Sequence, residues 1–153
     1  MTLGKIFAAA APVTEGGGGG IPIGRLHDAS FGRWLARFAD KAPDLRKNMC
    51  ILAGEALIAQ PSLAPALSAA LVKRMLDADD SVRRAAVVAA ADATCAALAA
   101  VPPTLLKALA DRADDKNTEI RREAITGLAQ VRPSALSFYV VRARSLFTCT
   151  SQQ

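Results

Sequence analysis

Several things are scarce in this 153-residue chain. Aromatics make up only 5% of it, with one Trp and one Tyr. β-branched residues are also few, so a β-sandwich, which wants both, is disfavoured. There is one histidine, His27, so a site built from several His-Glu pairs is excluded. The three cysteines, Cys50, Cys95 and Cys149, are odd in number and form no CxxC pair. They do not make a disulfide framework. Cys50 and Cys95 are expected to be small buried hydrophobes in a reducing compartment. No long, strongly apolar run is present. The stretch 85–101 is mostly alanine and contains Asp92, short of the ~20 apolar residues that span a bilayer. The opening Lys5-Ile6-Phe7 and four alanines are too short for a secretory signal core, with Pro12 and Glu15 close behind. A soluble chain with no membrane contact is expected.

What is abundant is alanine, 33 residues, within an apolar fraction of 52%. That composition suits closely packed helices and argues against disorder. Length suggests one domain with a core of its own. The five glycines Gly16–Gly20 lack GxGxxG spacing and a preceding strand, so they read as a linker. From Asp28 onward apolar residues recur at helical spacing. Phe31, Trp34, Leu35 and Phe38 form one set. Leu45, Met49, Leu52, Ala53, Ala56 and Leu57 form the next, with Asp44 as a candidate cap. Further helices are expected over 63–76, 82–100 and 105–110. A last one carries Ile120, Ala124, Leu128 and Val131 behind Thr118. Prolines 43, 61, 102, 103 and 133 punctuate them.

The units repeat. Asp40, Asp77 and Asp114 are 37 residues apart. Each precedes an apolar residue and two basic ones: Leu45-Arg46-Lys47, Val82-Arg83-Arg84 and Ile120-Arg121-Arg122. The gap from Asp to Arg is six, six and then seven, which places one extra residue within Lys116-Asn117. Short helix pairs at a fixed period of just under 40 residues read as an α-solenoid of about three HEAT-like pairs. One pair cannot cover its own apolar face, so neighbours must stack. Leu45, Val82 and Ile120 should therefore be buried at equivalent positions. The Asp residues should accept from helix-start amides or from an Arg of the adjacent unit, forming a ladder through Arg46, Arg83 and Arg121. The organisation expected is a partial helix and Gly-rich linker over 1–28, an array over 29–131 (29–60, 61–100, 101–131), and a non-repeat tail over 132–153.

The net charge of +5 divides unevenly. Residues 1–28 are neutral, 29–131 carry +2 and the tail +3. No basic stripe interleaved with aromatics is present, so direct nucleic-acid binding is expected to be weak or absent. Lys73, Arg74, Arg84 and Arg122 are candidates for an interaction face, because solenoids place equivalent positions in rows. No HExxH, nucleophile elbow or P-loop occurs, so no catalytic, cofactor or metal residues are assigned. Asp79-Asp80 and Asp114-Asp115 read as turn and cap residues.

Four stretches carry a family resemblance: Phe31-Gly-Arg-Trp-Leu-Ala-Arg-Phe-Ala-Asp-Lys41; Leu76-Asp-Ala-Asp-Asp-Ser-Val-Arg83; Leu105-Leu-Lys-Ala-Leu-Ala-Asp-Arg-Ala-Asp-Asp-Lys116; and Ile120-Arg-Arg-Glu-Ala-Ile-Thr-Gly-Leu-Ala-Gln130. Over residues 3–131 the chain resembles the sister-chromatid-cohesion proteins of the "precocious dissociation of sisters" family, cohesin-associated HEAT regulators. Members are far longer, so the resemblance implies an interior piece of the solenoid, a fragment or a truncated gene. It also implies a non-enzymatic nuclear, chromatin-associated scaffold acting in cohesion, chromosome segregation and repair. Its partners would be the cohesin kleisin subunit and cohesin release and acetylation factors. The alternative is another HEAT adaptor, of condensin, transport-receptor or kinase-scaffold type.

Overall fold

A computed structural model describes residues 28–131. The expected partial helix and Gly16–Gly20 linker before Asp28, and the 132–153 tail, fall outside the described residues. What is described is all-α: three antiparallel helix pairs stacked in chain order. The first helices are α1 (Asp28–Ala36), α3 (Ala64–Arg74) and α5 (Pro103–Asp111). The second helices are α2 (Pro43–Ala59), α4 (Asp80–Ala97) and α6 (Thr118–Gln130). Short 3-10 turns at 37–39, 61–63, 98–100 and 112–114 link them. The second helices form the tighter layer: α4 packs along α2 on one side and α6 on the other, while α3 and α5 cover them.

The local reasons are legible. Pro43, Pro65 and Pro103 occupy first-turn positions, where a missing N–H costs nothing. Asp79 caps α4 by accepting from the amides of Ser81 and Val82. Asn117 does the same for α6 through Glu119 and Ile120, so Thr118 is the first helical residue and not the cap. Asp44 lies inside the first turn of α2, favourable to the helix dipole but making no cap bond.

The core runs between the layers. Leu67, Leu71, Leu105 and Leu109 from the first helices meet Ala53, Leu57, Val82, Ala86, Ala90, Ile120 and Ala124 from the second, and all are buried. Phe31, Trp34 and Phe38 cover its beginning, with Phe31 and Trp34 stacked and Phe38 edge-on at 5.8 Å from Trp34. Val82 and Ile120 are fully buried, but Leu45 is only half-buried, so the equivalence holds in position and not in degree. Cys50 is buried, which pushes its thiol up to about 12. Cys95, expected inside, is exposed on the α6-facing edge of α4, with its sulfur 3.8 Å from the Gly127 carbonyl oxygen.

Two glycines set how closely the second helices approach. A Cβ on Gly54 would stand 2.9 Å from the Ala89 Cβ, and one on Gly127 would stand 2.4 Å from the Ala91 Cβ. Neither glycine has an unusual backbone; each is there because the neighbouring helix is. Alanine on the facing helix completes the contact, which gives the high alanine content a role in interhelix distance.

Candidate interaction surface

The repeat chemistry resolves into a motif: Arg, three residues to Asp, six more to Arg. It occurs as Arg37/Asp40/Arg46, Arg74/Asp77/Arg83 and Arg112/Asp115/Arg121. In each of the three turns the second Arg reaches back and donates to two carbonyls. Arg46 bonds the Asp40 and Lys41 oxygens at 2.8 and 3.1 Å. Arg83 bonds those of Asp77 and Ala78, and Arg121 those of Asp115 and Lys116. The other edge of the guanidinium clasps the next unit. Arg46 grips Asp77 with two bonds of 2.9 and 2.8 Å, and Arg83 grips Asp115 with two of 3.2 Å. This fork-to-carboxylate geometry is the strong form of a charged hydrogen bond.

The expectation for the third turn needs correcting. Asp114 is exposed and takes no part; Asp115, 5% exposed, is the rung. The Asp-to-Arg gap is therefore six in every unit. The additional residue lies upstream of Arg112, not within Lys116-Asn117. The sequence signal that separates the two aspartates is the Arg three positions earlier, which donates to Asp115 at 3.1 Å as Arg74 does to Asp77 at 2.7 Å.

These carboxylates are held in the charged form. The Arg46 hydrogen bond is the main reason Asp77 titrates below the ordinary carboxylate value, and burial works against it. For Asp115 burial is the largest influence and raises it, but the Asn117 amide, Arg83 and Arg112 together bring it below the ordinary value. A carboxylate depressed in the folded state stabilises the fold above its unfolded pKa, near pH 4, and loses that contribution as pH falls through the folded value. Thermal unfolding should therefore be insensitive to the ladder from pH 7 to 5 and should fall steeply below about pH 4. A chain carrying both Asp77→Asn and Asp115→Asn should be less stable at pH 7 yet lose less on acidification. Parallel curves for the two proteins would remove the ladder as the cause.

The four candidate face residues do not form one patch. Lys73 and Arg74 end α3 in the first layer, and Arg74 is spent on Asp77. Arg84 and Arg122 belong to the second layer, where Arg84 donates to Glu123 at 2.7 Å and Arg122 pairs with Glu119. The repeat register instead aligns Lys47, Arg84 and Arg122. One turn on come Ile51, Val88 and Thr126, and another turn on Glu55, Asp92 and Gln130. On α2 this side is opposite the buried Met49, Ala53 and Ala56. Between α2 and α4 it forms a groove of about 390 Å³, lined in part by Ile51, Ile58 and Val88 and edged by Lys47, Arg84, Glu55 and Asp92. Sequence reasoning missed this groove. Its signal was the repeat register itself, carried past the turn and down the second helix.

Among the described residues no group of His, Cys, Asp and Glu side chains could hold a metal ion, and no helix is long and apolar enough to cross a membrane. Seven of the nine arginines within residues 28–131 are held in ion pairs. No individual curated protein matches the chain. A family model described as "Sister chromatid cohesion protein PDS5 protein" matches residues 1–136, which takes in all the described helix pairs and the ladder between them. The chain belongs to the PDS5 family of sister chromatid cohesion proteins.

Proposed function

We propose that the chain is a non-enzymatic scaffold that helps regulate the cohesin ring in the nucleus, by holding cohesin subunits against its helical array. The observation that carries this reading is the family match over residues 1–136 together with an exposed apolar groove on the second-helix layer. The partners in this reading are the kleisin subunit and the factors that release or acetylate cohesin. Contact with chromatin is indirect.

Direct nucleic-acid binding is weak or absent in this reading. The paired arginines support it, since a guanidinium already bonded to a carboxylate neutralises phosphate poorly. The experiment presents the purified chain with cohesin and condensin kleisins side by side, and with duplex DNA over a salt titration. The cohesin kleisin should be retained and the condensin kleisin not. DNA affinity should be low and should vanish by moderate salt. Equal retention of both kleisins would favour a general HEAT adaptor, and tight DNA binding at moderate salt would replace the scaffold reading.

A further inference from the structure

We infer that the groove between α2 and α4 receives the apolar face of a short amphipathic helix from a partner protein, with an acidic residue toward one end of that face and a basic residue toward the other. The inference rests on the scaffold reading above but not on which partner is bound.

Three observations carry it. First, the floor is apolar and open. Ile51 and Ile58 are 45% and 40% exposed, and Val88 lies beside them. Large aliphatic side chains exposed together in a concavity of about 390 Å³ are a recognised mark of a binding site. Second, the charges around the groove are sorted by position. Lys47 and Arg84 stand at the end nearer the helix starts, while Glu55 and Asp92 stand two turns further on, about 12 Å along the axis. Among the described residues Lys47, Glu55 and Asp92 have no ion-pair partner, although Arg46, Asp77, Arg83 and Asp115 of the ladder are all paired.

Third, the walls are two α-helices, whose backbone groups bond internally. An extended peptide would find no edge to pair with and would bury unsatisfied main-chain groups. A helix satisfies its own backbone and needs only side-chain complementarity. Two turns of such a helix match the distance between the basic and acidic ends. Close approach of α2 and α4 at Gly54 and Ala89 keeps the floor shallow enough for side chains to reach it.

The test is a selection from a displayed library of helical peptides randomised on one face, with the full chain as bait. Recovered sequences should converge on two large apolar residues three or four positions apart, flanked by an acid on one side and a base on the other. Ile51→Asp should weaken the recovered peptides about tenfold or more. Ile125→Asp, a substitution at a somewhat more exposed apolar residue of α6 outside the groove, should leave them unchanged. Lys47→Glu should weaken them about threefold to tenfold, and replacing the peptide acid by Lys should restore binding. Melting curves check that each variant is folded. Failure to enrich any peptide, or peptides that bind Ile51→Asp as tightly as the parent chain, would overturn the inference. The kleisin is then tested on the same variant. Loss of kleisin and peptide together names the kleisin as the occupant, and peptide loss alone assigns the groove to another helix. Peptide binding without any kleisin binding would reject the cohesin reading while leaving the groove standing.

Discussion

Asp115→Ala should lower stability by about 2–3 kcal/mol, and the melting temperature by on the order of 5–10 °C. The substitution removes the acceptor for both Arg83 bonds, for Arg112 and for the Asn117 amide. Breaking a buried pair from one side leaves the other charge without its counter-ion, which costs about 3–5 kcal/mol in a fully buried setting. The lower figure is appropriate here because Arg83 keeps the Asp77 and Ala78 carbonyls and the Asp80 carboxylate. Asp114→Ala, one residue earlier, should change almost nothing, because that side chain is exposed and outside the ladder. The contrast between neighbouring aspartates is read from two melting curves. Equal effects would mean that the rung is wrongly placed.

Gly127→Ala should destabilise, although helix propensity alone favours alanine over glycine by about 1 kcal/mol. The new Cβ would fall 2.4 Å from the Ala91 Cβ. A methyl group on a helix backbone cannot swing aside, so α4 and α6 must separate. Overpacking of this kind costs about 1–3 kcal/mol, and the net effect should be a loss of about 1–2 kcal/mol. Ala91→Gly in the same chain should recover most of the packing penalty, though it introduces a second helical glycine. If Gly127→Ala raises the melting temperature, the second-helix layer is looser than described.

Much of this was readable in the sequence because the repeat makes each feature occur three times. Helix pairs, the proline punctuation between them and the Arg–Asp ladder all follow from residue type and spacing. The third rung was misplaced because adjacent aspartates offer two candidates and a strict 37-residue count selects the wrong one. Chemistry settles it, since only Asp115 has an arginine three residues before and six after. Cys95 and Leu45 went astray for a related reason. Helical periodicity says which residues share a face, but how deeply each is buried depends on the neighbouring helix. The groove was invisible for the same reason. It exists only when Ile51 and Ile58 of one unit stand beside Val88 of the next.

Bonds between units hold the stack together, and the proposed binding surface should exist only while the units are stacked. The most direct measurement is a calorimetric titration of a cohesin kleisin segment into the full chain, made below and above its unfolding transition. The expected result is saturable one-to-one binding by the folded chain, weakened by Asp115→Ala and absent once the helices have melted. A folded chain that takes up no kleisin, or binding that persists after the array has unfolded, would contradict it.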